Sequence, residues 1–183
     1  MDAIEILVNE HVLIKKFLDN LSIASVKLQT GERPPKEFFE KAVEFARNYA
    51  DKFHHIKEEY SMFARLSQKK DDDELAGQID ALRYQHERGR SFIKEISNSL
   101  DGYAGGNDIS ATTILENLAA YVSLLSHHIH REDYIFFPMV KKELSENELR
   151  SLLELFEKED QKAGGKSFEN DHKKLVREMA GLL

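Results

Sequence analysis

The sequence predicts an all-α protein: an up-down-up-down four-helix bundle followed by two extra C-terminal helices. Apolar residues recur at three- and four-residue steps through most of the chain, and no stretch reads as a strand. The breaks between these runs fall at proline, glycine and capping residues, a helix apart. At 183 residues the chain is one domain's worth, read as a single unit over 1–183 with the bundle in 1–144 and a helical extension in 145–183.

The first helix places Ile4, Leu7, His11, Ile14, Leu18 and Leu21 on one face, so a histidine sits within an apolar stripe. Gly31 and the Pro34–Pro35 pair end it and start the next, because proline suits a first helical turn and disfavours helix in the residue before it. The second helix is expected from about Pro35 to Ser67. The polar run KKDDDE, Lys69 to Glu74, marks a short connection and an acidic helix start.

In the third helix Leu75, Ile79, Leu82, His86, Gly89, Ile93, Ile96 and Leu100 alternate in a heptad-like way, and His86 takes the place of an apolar residue. The loop LDGYAGGND breaks it, and Asp108 or Ser110 can cap the fourth helix, which ends near Pro138 to Leu144. SENE, Ser145 to Glu148, is a capping box opening a fifth helix, and Gly164–Gly165 separates that from a last one over Ser167 to Leu183.

Composition narrows function. The 26 basic and 33 acidic residues give a net charge of −7 with no long block of either sign, which argues against nucleic acid or an anionic membrane as partner. The absence of cysteine removes disulfides, thiolate metal sites, iron–sulfur clusters and thiol nucleophiles. The start MDAIEILVNEH has no basic leader region, and no apolar run approaches ~18–20 residues, so a soluble cytoplasmic protein is expected.

The chemistry gathers in two similar segments, FHHIKEEYSMF and SHHIHREDYIFFP. Each contains His-x-x-x-Glu, as His54 with Glu58 and His128 with Glu132, followed by a second acid, Glu59 or Asp133, and by Phe63 or Phe137 at matching distance. At i, i+4 the two side chains share a helix face, as a metal-binding pair requires. His11 stands as far before the first turn as His54 stands after it, and His86 and His128 fall at similar depths, within about two helical turns. Four imidazoles and two carboxylates in one layer match the ligand type of dinuclear iron or manganese sites; mononuclear zinc needs only three or four ligands. Helix periodicity fits His55–Glu59 slightly better than His54–Glu58, so Glu59 and Asp133 stay open as the bridging acids. His55, His127 and His130 are assigned beside the site or to the surface, and His172 to the surface.

With these residues in view, EH at Glu10–His11, HHIKEE…F at His54 to Phe63, QHERGR at Gln85 to Arg90 and HIHRED…FP at His128 to Pro138 resemble the hemerythrin-like, or HHE cation-binding, domain. The resemblance implies a four-helix bundle holding a non-haem di-iron centre, with His11, His54, Glu58, His86, His128 and Glu132 as ligands. It implies iron ahead of manganese or zinc, and O₂, NO or peroxide as the small-molecule partner, for sensing, storage or detoxification. A redox enzyme reducing peroxide or NO, or repairing iron centres, and an iron-binding regulatory module are the alternatives. Catalytic turnover, a protein partner and the oligomeric state are left open by the sequence. Oxygen carriers of the family have another histidine where this chain has Arg90, so open positions on both metals and a positive charge beside them are expected.

Overall fold

The computed structural model describes residues 2–69 and 73–183, and among them every regular element is helical. Helix α1, Ala3–Gln29, starts at an unanticipated capping box in which Asp2 accepts from the Glu5 amide at 2.8 Å and Glu5 accepts from the Asp2 amide at 2.7 Å. It ends at Gly31, whose φ of 88° only glycine adopts readily. Pro35 then caps α2, which runs through four consecutive stretches, Lys36–Phe45, Ala46–His55, Lys57–Phe63 and Ala64–Leu66. The two middle stretches are π-helical.

Helix α3 spans Asp73–Ala104. Of the connection expected across Lys69–Glu74, Lys70, Asp71 and Asp72 lie outside the described residues. The predicted break at Leu100 comes late, because Gly102 continues the helix and serves close packing: a Cβ there would lie 2.2 Å from Ser110 Oγ. The cap of α4 is Asn107, neither Asp108 nor Ser110. Its extended backbone lets Oδ1 accept from the Ser110 amide at 2.9 Å, while Asp108 pairs with Arg33. Helix α4 comprises Asp108–Arg131, a π-helical turn Glu132–Phe136 and Phe137–Glu143. Pro138 sits in its first positions after that turn. Helix α5, Glu146–Ala163, opens on the predicted Ser145–Glu148 capping box, and Gly164 and Gly165, with φ of 114° and 60°, turn the chain into α6, Lys166–Gly181.

Helix α4 packs along α3 and α1, α2 packs along α3, and α5 and α6 lie against α1 and α2. The core falls into two apolar clusters. One gathers Leu7, Phe63, Leu82 and Phe136 and includes Leu152 and Phe156 of α5; the other gathers Phe17, Tyr49, Ile93 and Leu125 and includes Val176 and Met179 of α6. Along α1, α2, α3 and α4 the predicted metal-binding histidines stand at the boundary between one cluster and the other, with Ile129 alone lying past His128. The C-terminal helices thus contribute to both halves of the core.

Within Asp108–Glu143 one window reaches a mean hydropathy of 1.2, so by length and composition this helix is apolar enough to cross a membrane, which a search for unbroken apolar runs overlooks. Its Ile114, Leu118, Tyr121, Leu125 and Ile129 are buried in the protein core, and it carries buried His128 and Glu132.

Candidate metal centre

Helix α1 supplies His11, α2 His54 and Glu58, α3 His86, and α4 His128 and Glu132, and none of the six is more than 1% exposed. The imidazoles meet in two pairs: His11 Nε2 lies 3.0 Å from His54 Nε2, and His86 Nε2 lies 3.1 Å from His128 Nε2. Each carboxylate faces both pairs. Glu58 puts Oε1 3.6 Å from His54 Nε2 and Oε2 3.5 Å from His86 Nε2; Glu132 puts Oε1 3.2 Å from His128 Nε2 and Oε2 3.3 Å from His11 Nε2.

The outer nitrogens fix these orientations. His11 Nδ1 donates to Asp133 at 2.7 Å, His54 Nδ1 to Glu10 at 2.8 Å, His86 Nδ1 to Glu59 at 2.6 Å and His128 Nδ1 to the Gln85 amide oxygen at 3.0 Å. A proton held at Nδ1 of a neutral imidazole leaves a lone pair at Nε2, and all four lone pairs point inward. Glu59 and Asp133, the competing bridging acids, therefore stand outside the ring as acceptors. Glu10 and Gln85 were not singled out, although each directly precedes a histidine of the motif.

The wheel that favoured His55–Glu59 fails because α2 is π-helical through both pairs. An i→i+5 turn holds more residues than an α turn, so a wheel drawn at 3.6 loses phase there. His55 is nonetheless buried, its ring stacked on His86 at 3.8 Å, and its ring nitrogen lies within 4.8 Å of ligand atoms of Glu58, His86 and His128. It is thus a seventh residue of the cluster. His127 and His130 are exposed as expected. His172 is not: it is buried among Phe45, Tyr49 and Phe168, because α6 packs on α2 and turns that face inward. Arg90 does not reach the centre. Its guanidinium is held by Asp51 and Glu59 at 2.7 Å and by Glu87 at 2.6 Å, so the positive charge expected beside bound ligand is spent on three acids.

A metal cation suits this donor set. All four oxygens of Glu58 and Glu132 are buried without a hydrogen-bond partner, an arrangement that costs free energy unless something positive satisfies them. Burial pushes both carboxyls well above the usual range, and the neighbouring Glu58 charge raises Glu132 further. Burial pushes His54, His86 and His128 well below the histidine range and lowers His11 as well.

These shifts set a pH profile for metal-free protein. Unfolding returns the four imidazoles to ~6.5, so below that pH the unfolded chain binds more protons and stability falls as pH falls. The carboxyls act oppositely: above ~4.5 the unfolded chain releases protons that Glu58 and Glu132 retain, so stability falls as pH rises. Four imidazoles outweigh two carboxyls between those values. Melting temperature in chelator should therefore peak near pH ~6.5 and decline on either side, and a steady climb to alkaline pH would contradict buried, protonated carboxyls.

A profile of the Hemerythrin HHE cation binding domain matches residues 2–140. The chain belongs to this family. This hemerythrin-like chain is also 27% identical over 165 residues to Uncharacterized protein Rv1995 of Mycobacterium tuberculosis and Uncharacterized protein Mb2018 of Mycobacterium bovis. The alignment covers 90% of this chain and 64% of each relative, so the chain spans less than two thirds of their length. No solved structure matches it significantly. Membership carries cation binding, and the buried histidine–glutamate cluster is where the hemerythrin-like fold can hold a metal.

Proposed function

We propose that this is a non-haem di-iron protein that binds O₂, NO or a peroxide for sensing, storage or detoxification. The observation that carries the reading is the arrangement of Glu58 and Glu132, each with one oxygen toward the His11–His54 pair and the other toward the His86–His128 pair. Two carboxylates so placed suit a bridged pair of hard cations, and imidazole without thiolate favours iron over copper(I). On this reading the helices form the up-down-up-down bundle of hemerythrins, with 1–144 as the metal-binding part and 145–183 as its extension.

Bound iron would supply the electrons or the open positions that a diatomic ligand or peroxide needs. The chain's own residues do the rest. Asp133, Glu10, Glu59 and Gln85 hold each imidazole in the tautomer that offers Nε2, and Phe63, Phe136 and Phe137 close one side against bulk water. The redox-enzyme alternative draws support from the cavity that reaches His86, described below.

Protein from iron-replete cells should carry about two iron atoms per chain. His11→Ala and His128→Ala should each at least halve that content, while exposed His127→Ala leaves it unchanged; His172, being buried, is no control. Elemental analysis decides, and one tightly held zinc with no iron would reject the reading.

A further inference from the structure

A cavity of about 410 Å³ opens between α2 and α3 and ends at His55 and His86, on one side of the histidine cluster. Its wall is mostly apolar, built from Ala46, Gly89, Ile93, Leu125 and the ring of Tyr121, with Gln85 and Arg90 as its polar members. Its mouth is cationic. Arg47, Lys52 and Lys94 line it, are exposed, and form no ion pair among the described residues, in a chain whose net charge is −7. Asp51 is the cavity's acid, and hydrogen bonds from His55 and Arg90 hold its carboxyl down at about 2 although burial alone would raise it.

Gly89 shows that the space is kept open. Glycine inside a helix costs ~1 kcal/mol against alanine and is usually explained by a close backbone approach. None occurs here: beyond the helix itself, a Cβ at Gly89 would meet only the Tyr121 ring, at 3.5 Å, an ordinary contact. What a side chain at this position would fill is the cavity.

We propose that this cavity binds an aliphatic molecule with a single anionic head, and that it is the route by which an organic ligand approaches the His86–His128 side of the centre. Mostly apolar walls disfavour a sugar or nucleotide, most of whose polar groups would be buried unpaired. The three unpaired cations at the mouth select a negative head, which remains there because moving it along the apolar wall would strip its hydration. A space of this size suits a body of roughly ten carbons. The assignment of the inner end to a metal rests on the di-iron reading; the binding site itself does not.

Decanoate is the probe, titrated calorimetrically into both iron-loaded and chelated protein. Saturable binding of one decanoate per chain is expected in both states, with decanol at least about tenfold weaker. Gly89→Leu, which fills the cavity with a better helix former, should weaken decanoate at least about tenfold while iron content and melting temperature hold. Lys52→Ala with Lys94→Ala should remove the preference for decanoate over decanol. No saturable binding to wild type, undiminished binding to Gly89→Leu, or decanol binding as tightly as decanoate would each overturn the proposal. The iron count stands apart from all of these outcomes and tests the di-iron reading alone.

Discussion

Replacing Glu58 with methionine should raise the melting temperature of the metal-free protein and lower its iron content by more than half. Both effects have one cause. Without a cation, Glu58 holds two buried oxygens with no hydrogen-bond partner, so its burial is uncompensated. A thioether of similar length removes that cost and packs against the surrounding rings. Exchanges of buried ionisable groups for apolar ones of similar size stabilise by about 1–3 kcal/mol, equivalent to roughly 3–8 °C in a chain of this length. With iron present the order should reverse, because wild type then gains binding free energy that the variant has lost. Differential scanning calorimetry with chelator and with iron measures both. A metal-free variant less stable than wild type would mean that Glu58 makes a favourable contact of its own.

The largest loss of stability is expected from Lys57→Met. The side chain of Lys57 is fully buried, lies 2.5 Å from Asp160 of α5 and over the Phe53 ring at 3.5 Å, and pairs with Glu10, which in turn accepts from His54. Removing the cation leaves the buried Glu10 carboxyl without its charge partner, and breaking such a pair costs about 3–5 kcal/mol. Asp160→Asn should cost much less, since that side chain is 35% exposed and retains solvent. Denaturant unfolding checks the order. Adding Glu10→Gln to Lys57→Met should recover part of the loss, because the orphaned acid is then gone. Equal costs for Lys57→Met and Asp160→Asn would show that Glu10 is not the partner that matters.

The layer of histidines was legible because helix length is countable: residues equidistant from a turn on two antiparallel helices come to one height, and the paired flanks of His54 and His128 marked which to count. Asn107, by contrast, was passed over as a cap because Asp108 and Ser110 are equally good capping types, and only the backbone angle chooses among them. The π-helical turns left no sequence signal, and through them both His54 and His55 lie in the cluster with Glu58, while Glu59 stands outside it. Lys57 was illegible for a different reason. A lysine on a charged-looking segment reads as solvated until α5, more than eighty residues downstream in sequence, is known to lie across it.

The division of the core into two apolar clusters bears on the order of assembly. Small zinc domains have too little core to fold unaided, so the ion nucleates them. Here each cluster is already built from α1, α2, α3 and α4, whereas the histidine layer draws on residues as distant as His11 and Asp133, 122 positions apart. No partial chain has a complete binding pocket, yet the complete chain has ample apolar surface to close without an ion. A metal ion would therefore be a late arrival, delivered to a finished scaffold. Its rate of uptake would be governed by how often the helices part enough to admit it, not by how fast the protein folds, so the same sequence could accumulate as an empty, ready-made receptor when metal is scarce and fill when it returns.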